Sequence, residues 1–191
     1  MNSADRKKEI MEKSLEIIYN EGFGNLTMRN IAEKIGISEA AIYRHFKNKE
    51  EVVSRLADMV LTENKFWQME IGDSDPFKLL EEIMIKQLEI LKQNPYLTAI
   101  LFQEEIFNEY PEIKERFSKS REKNEKKIKE IIERGKQEGI IAPEIDPDTI
   151  AIFYMGSLRL IVLKWRDSNF SYSPTKKAKK VIKQLIEFIS F

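Results

Sequence analysis

The stretch that decides the fold is residues 27–49, TMRNIAEKIGISEAAIYRHFKNK. Gly36 divides it into two short amphipathic segments, and glycine readily takes the left-handed conformation that ends a helix. Thr27 and Ser38 stand directly before these segments, where a hydroxyl side chain can cap a helix N-terminus. The pattern predicts helices over 28–35 and 39–46, joined by a sharp turn. A small core beneath them would contain Ile31, Ile35, Ile37, Ile42 and Phe46.

The second of these helices has an outward face that suits the major groove of DNA. If Ile42 and Phe46 point inward, then Ala40, Tyr43 and Arg44 project to the other side, because successive helical residues are about 100° apart. Arginine can bond guanine O6 and N7 with two hydrogen bonds, and small alanines permit close approach to the bases. Hydroxyl groups, helix N-terminal amides and lysines nearby suit phosphate oxygens.

The same residues carry a family resemblance. Thr27-x-x-x-Ile31-Ala32-x-x-x-Gly36-Ile37-Ser38, followed by Ile42-Tyr43-x-His45-Phe46-x-x-Lys49, resembles the N-terminal domain of the tetracycline-repressor (TetR) family over about residues 5–60. The resemblance implies a nine-helix, Ω-like dimer that binds palindromic operators and usually releases DNA when a small ligand binds its C-terminal domain. By this resemblance the DNA contacts fall on Thr27, Arg29, Ser38, Glu39, Ala40, Tyr43, Arg44, His45 and Lys49.

Glu39 departs from what a DNA-facing position favours. A carboxylate there repels phosphate, unless it accepts a hydrogen bond from the N4 amino group of a cytosine.

The rest of the chain is also predicted to be helical. Proline recurs where helices are expected to begin, at Pro76, Pro95, Pro111, Pro147 and Pro174. The sequence predicts an all-α fold of nine helices: 4–21, 28–35, 39–46, 49–70, 76–93, 95–109, 111–138, 147–166 and 174–190. Residues 1–50 are predicted to form a three-helix DNA-binding domain. Residues 51–191 would form a helical ligand-binding and dimerisation domain, with the fourth helix as the link.

Composition excludes several classes of protein. The 191 residues are 42% hydrophobic and 34% charged with a formal net charge of +0, which is typical of a globular chain. There is no cysteine and His45 is the single histidine, so we expect neither a metal nor another cofactor, and no catalytic constellation. No apolar run could span a membrane, and the charged N-terminus does not resemble a signal peptide. These features predict a cytoplasmic protein that is not an enzyme.

Many large apolar side chains in helices four to eight either fill the core or line a cavity for a small apolar or amphipathic ligand. Arg159 stands out among leucines, and a buried lone charge is costly. It is expected to pair with Glu104 or Glu105, or with an anionic head group such as the phosphates of an acyl thioester. The predicted pocket residues are Phe66, Trp67, Leu88, Phe102, Ile106, Tyr154, Met155 and Arg159.

The helix at 148–166 is apolar nearly all round, and the last helix has one apolar face. A helix that is apolar on every side must be covered on every side, and a second copy of the chain can supply the missing cover. The alternative is a monomer in which the eighth helix is fully internal. The predicted contacts between subunits are Phe153, Leu158, Ile161, Leu185 and Phe188.

These patterns predict a ligand-responsive repressor that binds double-stranded operator DNA as a homodimer. Two other classes stay open: an enzyme that uses the C-terminal cavity, and a helical protein-interaction or ligand-sensing module without operator binding. The charged run from Lys114 to Lys136 and the lysines at 176–180 are interpreted as solvated helix faces. A second nucleic-acid surface is the alternative for both.

Overall fold

The computed structural model describes residues 2–63, 74–101 and 107–190. Within these ranges the chain forms helices and no β-strand, which confirms the predicted all-α fold. No described helix is both long enough and apolar enough to cross a membrane. The helices are α1 (Ser3–Glu21), α2 (Met28–Ile35), α3 (Glu39–Tyr43), α4 (Lys49–Glu63), α5 (Pro76–Gln93), α6 (Thr98–Leu101), α7 (Pro111–Gln137), α8 (Pro147–Asp167) and α9 (Pro174–Ile189).

Most helix boundaries follow from local capping chemistry. Proline is the first residue of α5, α7, α8 and α9, where its missing N–H group leaves no hydrogen bond unmade. The side chains of Asp75, Asp146 and Ser173 accept hydrogen bonds from the first turns of α5, α8 and α9.

Two predicted helix boundaries are wrong. The helix predicted at 95–109 begins instead with a 3-10 turn, Pro95–Leu97, and α6 starts at Thr98. Residues 107–109 form a turn, while 102–106 lie outside the described residues. The helix predicted to reach residue 46 ends at Tyr43, because the His45 N–H group donates to the carbonyl of Ile42, at 2.8 Å, and tightens the chain into a turn.

The N-terminal compact unit comprises Met1–Glu63 together with Tyr96–Glu115. Within this unit α4 packs against α1, and α6 packs against both. The predicted stripe of α1 is buried as expected, at Ile10, Met11, Ser14, Leu15, Ile17 and Ile18. Beneath α2 and α3, Ile31, Ile42 and Phe46 are buried, whereas Ile35 and Ile37 are half-buried.

The C-terminal compact unit comprises Asn64–Pro95 and Arg116–Phe191. In it α9 packs against both α5 and α8. The buried Tyr154 hydroxyl on α8 donates to the Leu80 carbonyl oxygen on α5, at 2.8 Å. The Lys129 ammonium on α7 contacts both Glu125 and Asp148, which raises the pKa of Lys129 and joins α7 to the start of α8.

Candidate nucleic-acid interface

The turn between α2 and α3 is built as the sequence predicts. Gly36 has φ of +79° and ψ of +35°, the left-handed conformation that glycine adopts at little cost. Its N–H group donates to the carbonyls of Ala32, at 2.9 Å, and Glu33, at 3.2 Å. Ser38 then caps α3, since its hydroxyl oxygen accepts from the Ala41 N–H group at 3.2 Å. The turn therefore fixes the direction of α3 relative to α2.

The outward face of α3 is exposed, while Ile42 on its inner side is fully buried. Glu39, Ala40 and Arg44 are exposed, and 49% of Tyr43 is accessible. An exposed aromatic hydroxyl beside an exposed guanidinium and a small alanine is the set of groups that can bond phosphates and base edges. The structure thus brings these predicted residues together on one surface.

Thr27 and Arg29 flank this surface at the start of α2. The Thr27 hydroxyl oxygen accepts from the Asn30 N–H group at 3.0 Å, and both Thr27 and Arg29 are exposed. The hydrogen bond from Arg29 Nε to Glu33 Oε1, at 2.9 Å, raises the pKa of Arg29, and the charge of Glu39 adds to this shift. Arg29 is therefore paired with Glu33 and also lies in the field of Glu39.

His45 has only one ring nitrogen available to a ligand. The ring is half-buried, and its Nδ1 atom is buried with no hydrogen-bond partner among the described residues. Any phosphate contact of His45 is consequently restricted to Nε2. In the part of the chain that the structure describes, no cluster of His, Cys, Asp or Glu could hold a metal ion.

Lys49 lies at the start of α4, where the side chains of Asn48 and Glu51 accept hydrogen bonds from backbone N–H groups. Asn48 Oδ1 accepts from the Glu51 N–H group at 2.9 Å, and Glu51 Oε2 accepts from the Lys47 N–H group at 2.7 Å. These reciprocal bonds fix the first turn of the helix. The Lys49 ammonium lies 4.8 Å from the centroid of the Phe23 ring.

Phe23 is a residue that the sequence reasoning missed. It lies in a 3-10 turn (Phe23–Asn25) after α1, and its ring meets Phe107 and Tyr110 edge to face, each at 6.2 Å between centroids. Burial raises the pKa of Tyr110, and the charges of Glu109 and Glu50 add to the shift. The only available signal was an aromatic residue between Gly22 and Gly24, which by itself indicated just the end of α1.

Two models of known protein families match this chain. The model of bacterial regulatory proteins of the tetR family matches residues 10–56. The model of the C-terminal region of MAATS-type transcriptional repressors matches residues 75–191, more than half of the chain. The chain belongs to the TetR family. As a TetR-family protein it is a DNA-binding transcriptional regulator and not an enzyme.

Individual relatives agree with this assignment. The nucleoid occlusion factor SlmA of Aliivibrio fischeri is 29% identical over 177 residues, which cover 90% of this chain and 89% of that protein. The ketosteroid transcriptional regulator KstR2 of Mycobacterium tuberculosis has a similar fold, with a TM-score of 0.81 at 18% identity over 97% of this chain and 95% of that one. The regulator FadR of Bacillus subtilis, in complex with stearoyl-CoA, aligns with a TM-score of 0.69 at 17% identity over 94% and 97% of the two chains.

The predicted ligand pocket is only partly within the described residues. Phe66, Trp67, Phe102 and Ile106 lie outside them, as do Glu104 and Glu105. Leu88 and Tyr154 are fully buried, and Met155 is half-buried. The prediction that Arg159 is a buried charge is wrong: its side chain is exposed, because the buried side of α8 passes through Tyr154, Leu158 and Ile161 instead.

A polar residue of the C-terminal unit escaped the sequence reasoning. Gln87 on α5 is only 5% exposed, and its Oε1 atom has no hydrogen-bond partner within the described ranges. Buried apolar residues surround it along the helix, at Ile83, Met84, Leu88 and Leu91. Its position in the apolar stripe of α5 was the available signal.

The residues predicted for the subunit interface divide into two groups. Leu158 and Ile161 are buried inside the protomer, so their side chains are not available to a second copy. Phe153 and Phe188 are 53% and 66% exposed, and Leu185 is half-buried. Ile152 and Leu160, which the sequence reasoning did not select, are also exposed on α8.

Proposed function

We propose that this regulator is a ligand-responsive repressor that binds a palindromic operator as a homodimer. The exposed face of α3 carries the proposal, since Ala40, Tyr43 and Arg44 point away from the core while Ile42 fills it. Two such helices, one from each subunit, would enter successive major grooves about 34–36 Å apart. The match to the C-terminal region of MAATS-type repressors supports the repressor role.

The operator can be found by selection from a pool of random duplexes with the full-length protein. We expect a sequence with two inverted half-sites. Arg44→Ala is expected to relax the preference at one base pair of each half-site, because a bidentate arginine contact discriminates between bases. Lys180→Ala, an exposed change on α9, serves as the control and is expected to select the wild-type sequence. Selection without enrichment would contradict operator binding and favour an interaction module.

The exposed apolar residues of α8 and α9 support the dimer. Ile152, Phe153 and Leu160 on α8 and Phe188 on α9 expose large apolar side chains, and the two helices pack against each other within the protomer. An apolar surface of this kind is typical of a protein–protein interface. We propose an isologous interface in which α8 and α9 of both subunits form a four-helix bundle. Arg159 would then lie on the subunit interface and not in the ligand pocket.

The buried Oε1 atom of Gln87, which has no hydrogen-bond partner in the described part of the chain, supports a ligand site in the C-terminal unit. A buried amide without a hydrogen bond destabilises a protein by about 1–3 kcal/mol. Tyr154 cannot relieve this cost, because its hydroxyl already donates to Leu80. The similar fold of FadR, solved with stearoyl-CoA, further supports a ligand with a long apolar part. We propose an apolar or amphipathic effector whose hydroxyl or amide N–H group donates a hydrogen bond to Gln87 Oε1.

Stearoyl-CoA and oleyl alcohol, which both carry hydrogen-bond donors, are suitable first probes, with thermal unfolding and release from the selected operator as readouts. Gln87→Met keeps the side-chain volume but removes the amide. It is expected to raise the melting temperature by about 2–4 °C and to abolish the response to any probe that acts on the wild type. Met84→Leu on the same buried face is the control and is expected to keep the response. An unchanged response in Gln87→Met would contradict this anchor.

A second candidate rests on the SlmA relatives, which are named nucleoid occlusion factors and align over 90% of this chain. In this case the protein would bind many chromosomal sites and restrict where cells divide. Genome-wide mapping of bound DNA separates the candidates. A few sites at promoters would support the repressor, whereas dispersed sites, together with division across the nucleoid in a deletion strain, would support the second role.

A further inference from the structure

The Lys49 ammonium is held by an aromatic ring. It lies 4.8 Å from the centroid of Phe23, within the range of a cation–π interaction. Lys49 is half-buried, and among the described residues no carboxylate lies within ion-pair distance of it. The ring is therefore the partner that the described structure gives to this charge.

The Phe23 ring is itself fixed in place. Gly22 has φ of +87°, and this turn presents Phe23 between two glycines directly after α1. The rings of Phe107 and Tyr110 approach it at interplanar angles of 77° and 84°, the edge-to-face arrangement that aromatic pairs prefer. Because Phe107 is fully buried, the cluster is anchored in the core of the N-terminal unit.

We propose that Phe23 is a positioning residue, which holds the Lys49 ammonium ready for a DNA phosphate, and that Phe107 and Tyr110 keep the ring in that orientation. This inference rests on the proposed DNA contact of Lys49. A ring occupies one side of an ammonium group and leaves its N–H donors free for phosphate oxygens. A flexible lysine side chain that is already ordered loses less conformational entropy when the phosphate binds.

Four variants of the full-length protein test the inference: Phe23→Leu, Phe23→Trp, Lys49→Gln and the double variant Phe23→Leu/Lys49→Gln. Leucine keeps an apolar side chain but removes the ring, while tryptophan keeps a ring face that attracts cations. The probe is the duplex selected by the wild-type protein. Its dissociation constant is measured over a range of salt concentrations, and thermal unfolding identifies any variant that has lost its fold.

The expected results distinguish the effect of the position of the Lys49 ammonium from the effect of its charge. Lys49→Gln should lower the slope of log K against log salt by about 0.9 for each bound copy, because one phosphate contact disappears. Phe23→Leu should weaken binding about two- to fivefold per copy with the slope unchanged, because the charge stays but its position is lost. Phe23→Trp should bind like the wild type. In the Lys49→Gln background, Phe23→Leu should have no further effect.

Three outcomes would overturn the inference, and they differ in what they imply. If Lys49→Gln weakens binding but Phe23→Leu does not, or if Phe23→Leu weakens binding equally without Lys49, then Phe23 does not act through the lysine. If Lys49→Gln has the wild-type affinity and slope, the proposed phosphate contact itself fails. Phe170→Leu, a similar change beside Trp165 in the C-terminal unit, is the control and should not alter DNA binding.

Discussion

The outward faces of α3 and α8 are both exposed, yet their chemistry is opposite. On α3 the exposed residues are Glu39, Ala40, Tyr43 and Arg44, all small, polar or charged except for the tyrosine ring. On α8 they include Ile152, Phe153 and Leu160, which are large and apolar. Each face lies opposite a buried one, so burial within the protomer does not explain the difference.

This contrast indicates two kinds of partner. Polar groups exchange hydrogen bonds to water for hydrogen bonds to phosphates or base edges, with a small net change in free energy. Such groups suit a reversible contact whose affinity changes with salt concentration and with a bound ligand. Burying exposed aromatic and aliphatic groups lowers the free energy in proportion to the apolar area removed from water. Such a surface favours a stable interface between subunits. The following predictions test this contrast, from the largest expected effect to the smallest.

The largest effect is expected from charges on the apolar face. Ile152→Glu combined with Phe188→Glu should raise the dissociation constant of the dimer at least a hundredfold, because burying each apolar side chain is worth about 1.5–3 kcal/mol and every contact occurs twice. Sedimentation at micromolar concentration measures the change. Lys183→Glu, on a different face of α9, should leave the mass unchanged, and a wild-type monomer would refute the interface.

A smaller effect is expected on the polar face. Arg44→Ala should reduce the discrimination between the preferred base pair and its alternatives by about 1–3 kcal/mol, with the melting temperature unchanged. Binding to a set of singly substituted operators measures it. Equal loss on every duplex would instead place Arg44 on a phosphate.

Removing one hydroxyl group from each region gives a matched comparison. Tyr154→Phe should destabilise the fold by about 1–2 kcal/mol, because the buried hydrogen bond between α8 and α5 is lost, and should leave DNA affinity unchanged in the folded protein. Tyr43→Phe should weaken DNA binding without a change in stability, since the Tyr43 hydroxyl is at the surface. Denaturant unfolding and DNA titration of both variants are the measurements. If Tyr154→Phe weakened DNA binding and Tyr43→Phe destabilised the fold, the roles given to the two hydroxyl groups would be contradicted.

The smallest effect concerns the contact between α1 and α2. Glu21 accepts hydrogen bonds from Lys34, at 2.8 Å, and Asn30, at 3.0 Å, and these bonds lower the pKa of Glu21 from its ordinary value of 4.5. A carboxyl group with a lowered pKa stabilises the fold above its ordinary pKa, and this stabilisation is lost as the pH falls through the folded-state value. The stability difference between the wild type and Glu21→Gln should therefore decrease below about pH 4.5. A constant difference would exclude the ionised pair as its source.

The sequence predicted the helix-turn-helix closely, because its signals are local. Thr27, Gly36 and Ser38 act on the backbone within three or four residues, and each has the capping or turn role expected of it. Glu39, Ala40, Tyr43 and Arg44 are exposed together for the same reason, and their contact with DNA stays a prediction. The predicted extension of α3 to residue 46 failed, because the turn that begins at Tyr43 has no comparable marker.

Hydrophobic periodicity did not predict which side of α8 is buried. Between Ile150 and Leu163 the only polar side chains of α8 are those of Ser157 and Arg159, apart from the Tyr154 hydroxyl, so no 3.6-residue pattern distinguishes its buried side from its exposed side. Leu158 and Ile161 are buried, and Arg159 is exposed, because α9 packs against one side of the helix. Phe23 and Gln87 were missed for a related reason: their importance lies in what surrounds them and not in their neighbours along the chain.

By itself, the amino-acid sequence determined the helical class, the turn at Gly36 and the exposed residues of α3, since all of these follow from hydrogen bonds and side-chain spacing within a few residues. Only the tertiary structure decided which apolar side chains stay exposed, that Gln87 Oε1 is buried without a hydrogen bond from any described residue, and that Phe23 meets Lys49. Those properties depend on packing between segments far apart in the chain, which local spacing does not encode.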